Sequence, residues 1–277
     1  MEQKKTLNSI FHLILYIALY ILIQSIVQFL AIGIYAFLKD IDYIVVLRGV
    51  TKGFYSQTLA ISTVLSGMIT IVLFVKMKWS PVSRNYLQSR PWGTLFWAAM
   101  LGIGSILPAQ FIYEQMEIAL SETTQNIFEG LMKEPWGYAA VGIIAPVGEE
   151  IIFRGAILRT LLGMFDKKFT WIAIFLSALL FGVIHGNVAQ CVHALLLGIA
   201  LGWMYYRTGS ILPGIVLHWV NNSIAYALYN LLPQTTDNGE LITLFHGSEK
   251  MMYGGLFFSL CILIPSIFQL AMRMKRH

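Results

Sequence analysis

Ala145-Pro146-Val147-Gly148-Glu149-Glu150-Ile151-Ile152-Phe153-Arg154 sets two adjacent carboxylates and a guanidinium inside an otherwise apolar run. An ionisable side chain at bilayer depth costs several kcal/mol, on the order of 2.5–3.5 on insertion scales. Three such groups so close together must face a polar cavity, and intramembrane charge of this kind marks a functional site. The expectation is an all-α, polytopic transmembrane bundle with a polar cavity inside the membrane.

The rest of the chain agrees. Of its 277 residues 57% are hydrophobic and 12% charged, and the mean hydropathy is +0.69. A soluble domain carries roughly 25% charged residues, so an ordinary soluble enzyme is excluded. The net charge of +5 does not indicate a nucleic-acid partner. The basic residues cluster between apolar stretches, as expected for loops beside anionic lipid. Cys191 and Cys261 both lie in apolar segments, so no disulfide framework is implied.

A spanning helix needs about 20 apolar residues. About eight stretches meet that requirement: 9–38, 57–75, 92–113, 136–165, 169–186, 190–206, 210–232 and 253–272. The first is too long for a signal-peptide core and reads as a retained, tilted helix. One integral membrane domain over 1–277 is the simplest organisation, with the chemistry-bearing core at 136–232. The connection holding Glu114, Glu117, Glu122, Glu129 and Glu134 reads as an exposed amphipathic segment. With both termini cytoplasmic, thirteen of the 19 basic residues fall inside and five outside, Arg154 being intramembrane. Lys275 and Arg276 belong to the inside set. Gly198 and Gly202 form a G-x-x-x-G pair for close helix packing. Pro146, three residues before Glu149, is expected to kink its helix and open a wet pocket.

Successive helical residues are about 100° apart, so Glu149 and Glu150 cannot point at one spot. Glu150 and Arg154 stand at i and i+4 and can pair, which leaves Glu149 to face the cavity. His185 closes the run Phe181-Gly182-Val183-Ile184-His185. In His218-Trp219-Val220-Asn221-Asn222, His218 and Asn222 share a face, and Asn221 is an alternative. His193 is weaker, with only Gln190 as a polar partner at helical spacing. Straight helices would put His185 and His218 roughly 10–15 Å apart along the membrane normal.

These groups suit the activation of water. A carboxylate in low dielectric approaches the neutral range where a general base works best. A neutral imidazole can relay the proton, and an amide can donate to the oxyanion of a tetrahedral intermediate. No serine or cysteine is placed for a covalent route. Two histidines and a carboxylate (Glu149, His185 and His218) also make a set that zinc could use with one open position, although H-E-x-x-H is absent. Zn2+ therefore stays open as a cofactor.

Together these stretches resemble the CAAX-protease and bacteriocin-processing family of intramembrane proteases, also called the Abi family. Its motifs are E-E-x-x-x-R, F-x-x-x-H and H-x-x-x-[NB], on separate helices in that order. Here they read Glu149-Glu150-Ile-Ile-Phe-Arg154, Phe181-Gly-Val-Ile-His185 and His218-Trp-Val-Asn-Asn222. The stretch Tyr206-Arg207-Thr208-Gly209-Ser210-Ile211 is also similar to the family. The resemblance covers about 136–232.

It implies that Glu149 activates water with His185, that His218 and Asn222 bind the oxyanion, and that Glu150 and Arg154 support the site. It further implies an integral membrane protein of a bacterial cell membrane, acting on a lipidated or membrane-associated peptide, a membrane protein, or a bacteriocin or signal peptide. Eukaryotic relatives remove the last three residues of prenylated CAAX proteins. The rival readings are a non-catalytic bacteriocin-immunity or scaffold protein and a proton-coupled transporter. No internal repeat of the transporter kind is visible. Oligomeric state cannot be read from the chain.

Overall fold

The computed structural model describes residues 2–81, 83–117, 120–231 and 241–274, with side chains from Thr6 onward. Lys275 and Arg276 of the inside set, and Leu232 at the end of the expected core, lie outside the described residues. The described residues form helices and connecting turns, with no strand. Among the described residues, five helices are long and apolar enough to cross a membrane: Thr6–Lys39, Ser56–Lys76, Trp92–Gln115, Val188–Thr208 and Glu249–Arg273. Their outer faces carry large apolar side chains, such as Phe37 at 85% and Phe258 at 69% exposure. Such faces suit lipid rather than water.

The other three stretches expected to span are the ones that carry the motifs, and each departs from a plain apolar helix. Residues 135–164 run helically but change between α and π geometry. Thr170–Val183 has only 14 residues. Leu212–Leu231 has 20 residues and includes His218, Asn221 and Asn222.

The chain divides into two compact units, Met1–Val82 with Leu120–Leu180, and Ser83–Ala119 with Phe181–His277. The expected core therefore contributes to both.

In the first unit, the 38-residue helix Glu2–Lys39 exceeds the hydrocarbon core of about 30 Å, since each residue adds about 1.5 Å. It runs antiparallel to Ser56–Lys76: Tyr16 meets Phe74, Gln24 meets Ser66, and Tyr35 meets Tyr55. The short helix Tyr43–Thr51 joins them, and Asp42 caps it by accepting from the Ile44 and Val45 amides. The turn after it crosses the helix Glu122–Lys133 closely. A Cβ on Gly53 would meet the Asn126 carbonyl oxygen at 2.6 Å. Glu122–Lys133 is the acidic amphipathic segment expected from the sequence, capped by Ser121 and buried at Met132.

The first-motif helix begins at Pro135, where the missing N–H costs nothing. It passes from a π segment, Tyr138–Ile144, to an α segment, Ala145–Glu149, and back to a π segment, Glu150–Leu158. Pro146 stands at the start of the α segment. Proline lacks the donor for an interior α turn, and here the helix continues through it by changing hydrogen-bond register rather than breaking. Every residue from Glu150 to Leu158 is buried. Hydroxyls pair with carbonyls along this region: Ser177 donates to Phe153 at 2.9 Å and Thr160 to Ala156 at 2.8 Å. Gly155 is the contact point, because a Cβ there would lie 1.8 Å from Ser80 Oγ.

In the second unit, glycines on Trp92–Gln115 seat two neighbours. A Cβ at Gly102 would press on the Leu217 carbonyl at 3.1 Å, and one at Gly104 on the Leu263 nitrogen at 2.7 Å. Ser259 donates to the Gly104 carbonyl at 3.0 Å. Gly198 and Gly202 are both buried within this unit. Gly209, at φ 64°, ends Val188–Thr208, and Pro213 sits in the first turn of the next helix, where proline is tolerated. Arg207 donates to the Met274 and Ala271 carbonyls and so ties down the last turn of Glu249–Arg273.

Gly155→Ala should destabilise the first unit by about 1–3 kcal/mol through overpacking. A lowered thermal midpoint in detergent would report it, and Ser80→Gly in the same chain should restore most of the loss.

Candidate active site

Adjacent glutamates on the first-motif helix have different surroundings. Glu150 is fully buried and accepts from Arg154 Nη1 at 2.8 Å, with Arg154 itself 1% exposed. Both charges are out of water, and their mutual attraction offsets that cost only at such contact geometry. Glu149, one residue earlier, is partly open and lines a cavity of about 220 Å3.

That cavity belongs to the first unit and is bordered by Tyr20, Gln24, Thr63, Thr70 and Glu149. Apart from the carboxylate, its polar lining is neutral. Gly67 and Gly148 also border it. The Gly67 site is tight, because a Cβ there would come within 2.3 Å of Ile144 Cγ2.

The histidines and the amide belong to the second unit. Thr170–Val183 ends two residues before His185. Counted from the exposed Lys167 and Lys168, its 14 residues rise about 21 Å, short of the roughly 30 Å hydrocarbon core. The turn 184–187 therefore lies at membrane depth, where non-helical backbone is tolerated only inside protein or beside a wet cavity.

Two glycines make the turn. Gly182 approaches the Cys191 carbonyl so closely that a Cβ would lie 2.7 Å from it, and Gly186 takes φ 72°. Asn187 completes it: its Oδ1 accepts from the Gln190 amide at 2.8 Å, capping the next helix, and its Nδ2 donates to the His185 carbonyl at 3.1 Å.

His185 Nδ1 lies 2.8 Å from the Phe181 carbonyl. A carbonyl only accepts, so Nδ1 carries the proton and Nε2 is the basic nitrogen of the neutral ring. The Phe181 ring meets His185 edge-on at 5.1 Å between centroids and His218 at 5.7 Å. Both imidazoles thus pack edge-on against one phenyl ring, His185 from the turn after Thr170–Val183 and His218 from Leu212–Leu231.

His218 is 4% exposed. Asn221 is also buried, and its Nδ2 donates to Asn222 Oδ1 at 3.3 Å, which fixes the orientation of the Asn222 amide. His193 lies within electrostatic reach of His185 and His218. Its expected partner Gln190 is instead bound by Asn187.

The structure thus joins Glu150 with Arg154 in one unit, and His185, His218 and the Asn221–Asn222 pair in the other. Neither unit, among the described residues, holds three His, Cys, Asp or Glu side chains grouped as metal ligands. The set Glu149, His185 and His218 that zinc could use is divided between the two units.

Residues 132–224 match the family model described as type II CAAX prenyl endopeptidase Rce1-like. The matched stretch contains all three motifs, and the family is the one those motifs resemble. Across that stretch the chain is similar to that endopeptidase family. No curated protein and no solved structure matches the chain.

Tyr20, Gln24, Thr63 and Thr70 were not singled out from the sequence. A signal existed: Tyr20 and Gln24 stand at i and i+4, and Thr63, Ser66 and Thr70 recur at helical period within an apolar span. Asn187 escaped because its work is to shape a turn.

Arg154→Met alone should cost about 3–5 kcal/mol, since it leaves a buried carboxylate uncompensated. Adding Glu150→Leu should recover much of that stability in thermal unfolding, while Glu150→Leu without its partner change should not be tolerated better than Arg154→Met.

Proposed function

We propose that this protein is an intramembrane endopeptidase that hydrolyses a peptide bond with water activated by Glu149. The observation that carries this reading is the division of labour between the two glutamates. Glu150 is neutralised by Arg154, whereas Glu149 lines a polar cavity within the Rce1-like stretch.

Glu149 takes a proton from water, and the resulting hydroxide adds to the carbonyl carbon of the scissile bond. His185, through Nε2, shares that proton and passes it to the departing nitrogen. His218 and the Asn222 amide donate to the oxyanion, a role whose loss typically lowers kcat by about 10²–10³. Glu150 and Arg154 hold the helix that presents Glu149.

The substrate class is a peptide at the membrane surface, lipidated or otherwise membrane-associated, with prenylated CAAX-type termini the form that the family description names. The protein sits in a bacterial cell membrane with both termini cytoplasmic.

A farnesylated CAAX-type peptide, presented to the purified protein in proteoliposomes, tests this. Release of the C-terminal tripeptide is expected from the wild type. Glu149→Ala and His185→Ala should each abolish it while the protein still inserts. Asn222→Ala should retain substrate binding but lose about 10²–10³ in kcat. Cleavage retained by Glu149→Ala or by His185→Ala overturns the role of that residue. Proton-driven flux without hydrolysis would favour a transporter. Cleavage that persists in chelator supports the glutamate mechanism, and cleavage lost in chelator and restored by zinc contradicts it.

A further inference from the structure

The cavity beside Glu149 is a slot between three helices of the first unit, and most of its polar lining lies outside the Rce1-like stretch. Tyr20 and Gln24, at i and i+4, come from the first helix. Thr63, Gly67 and Thr70, at i, i+4 and i+7, come from the helix Ser56–Lys76. Each set is one helical stripe. Ala145, Gly148 and Glu149 border the third side. From Thr63 to Thr70 the slot runs along about 10 Å of helix, at about 1.5 Å per residue. The proposed hydrolysis draws only on the carboxylate, which leaves the rest of this space without a role.

Two glycines border the slot for different reasons. Gly67 permits close packing on Ile144, as described above. A Cβ at Gly148 would meet only Ile71 Cγ1, at 3.9 Å. No close neighbour requires glycine at 148, and its missing side chain leaves room in the cavity directly before Glu149. The threonines give the slot its polarity. Thr63 Oγ1 donates to the Leu59 carbonyl at 2.9 Å and Thr70 Oγ1 to the Ser66 carbonyl at 2.8 Å. A hydroxyl has one proton and two lone pairs, so both oxygens have acceptor capacity left to offer. Glu149, ionised as the base, is acceptor-only as well. Tyr20 and Gln24 each carry donor and acceptor atoms and suit either kind of partner. The lining is therefore richest in acceptors, and the group that fits it is a donor.

We propose that this cavity is the pocket for the substrate side chain that follows the scissile bond, and that it selects an unbranched side chain ending in a neutral donor, of the glutamine type. Glu149 as the base of the proposed hydrolysis is the premise, since it places the scissile carbonyl at the edge of the cavity. A carboxamide brings two N–H donors to the threonine oxygens. A lysine ammonium would also donate, but it would pair with Glu149 and remove the base. A glutamate would bring a second carboxylate to a lining of acceptors. Size agrees: a cavity of about 150 Å3 admits a benzene-sized group, and this one has about 220 Å3. A farnesyl chain on the residue before the bond, with about fifteen carbons, exceeds that space. The side chain that enters therefore belongs to the residue after the bond, and Thr63, Thr70 and Gly148 determine which side chains are accepted.

Farnesylated peptides that differ only at the residue after the scissile bond test this in the proteoliposome assay. Glutamine and methionine are alike in length and differ in the donor. The wild type should cleave the glutamine peptide with kcat/KM about tenfold above the methionine peptide, the effect of one neutral hydrogen bond, and above the lysine and glutamate peptides. Thr63→Val and Thr70→Val keep the side-chain shape and remove the oxygen. Each should lower that ratio, and together they should bring it near unity. Gly148→Leu fills the slot and should cut kcat/KM for the glutamine peptide about a hundredfold relative to an alanine peptide. Gly163→Ala, where a Cβ meets nothing within 4 Å, should leave the ratios in place. A wild-type ratio near unity, a lysine preference, or a ratio untouched by the two valine changes overturns the proposal.

A second measurement needs no turnover. The same peptides, with the scissile N–H replaced by CH2 so that the bond cannot be hydrolysed, carry a fluorophore and are bound to the full protein in nanodiscs. Empty nanodiscs give the blank for lipid partition. The Kd of the glutamine analogue should lie about tenfold below that of the methionine analogue, and the difference should vanish when Thr63→Val and Thr70→Val are combined. Equal affinities in the wild type overturn the pocket. If the wild type cleaves no peptide yet binds the glutamine analogue selectively, the proposed function falls and the pocket stands as a binding site.

Discussion

A guanidinium and a carboxylate buried among apolar helices must meet at hydrogen-bond distance, or the helix that carries them cannot stay where it is. Arg154 and Glu150 meet at 2.8 Å with almost no exposure, and much of the surrounding architecture serves that contact. The segment Glu150–Leu158 is buried throughout. Its close approach to neighbouring backbone depends on Gly155 beside Ser80. Its π geometry alters the carbonyl pairing of an ordinary helix, and the Ser177 hydroxyl takes up the Phe153 carbonyl. In lipid each backbone group needs such a partner. π segments recur at functional sites because an altered register re-aims side chains. Here the register change falls between Glu149 and Glu150, where two identical side chains take up different environments.

The second unit solves a different problem, which is to hold polar rings at depth without exposing backbone to lipid. This unit resumes at Phe181, near the end of the 14-residue helix Thr170–Val183, which stops short and gives way to a turn. Gly182 and Gly186 make that turn compact, and Asn187 satisfies one exposed carbonyl and one exposed amide. Phe181 then serves as a common wall for His185 and His218. The phenyl ring itself offers no hydrogen bond that would compete for either imidazole.

How much of this was legible beforehand depended on the kind of signal. The Glu150–Arg154 pairing follows from i,i+4 spacing, and the all-helical membrane character follows from hydropathy. The count of eight spans rested on treating every apolar run of sufficient length alike. The five helices that qualify by length and composition leave out the three that carry motifs, because there polar residues and irregular geometry displace plain apolar sequence. From sequence alone the fifth span runs on to Gly186, because apolarity continues past Val183, while the helix ends at Val183, where glycine and asparagine favour a turn. From sequence alone Pro146 reads as a kink, yet a change of hydrogen-bond register also accommodates a missing donor. The cavity lining was missed for another reason. A single tyrosine, glutamine or threonine in a hydrophobic helix is common, and only the fold shows which of them share a space.

The character of that space bears on the chemistry it can support. A cavity of about 220 Å3 is large enough for several waters, each of which takes about 30 Å3 in the liquid. Its polar lining apart from Glu149 is hydroxyl, phenol and amide. A cationic lining would have favoured ion pairing with the cavity carboxylate, and an ion-paired carboxylate is a poor base. An apolar lining would have excluded the water that hydrolysis consumes. Neutral hydrogen-bonding groups do neither. They can hydrogen-bond water and can meet the backbone of an extended peptide, whose N–H and C=O groups need partners as soon as they leave the aqueous phase. For the proposed hydrolysis, one carboxylate among neutral donors and acceptors suits a single proton transfer, whereas ion passage requires opposing charge or a ring of acceptors along a path.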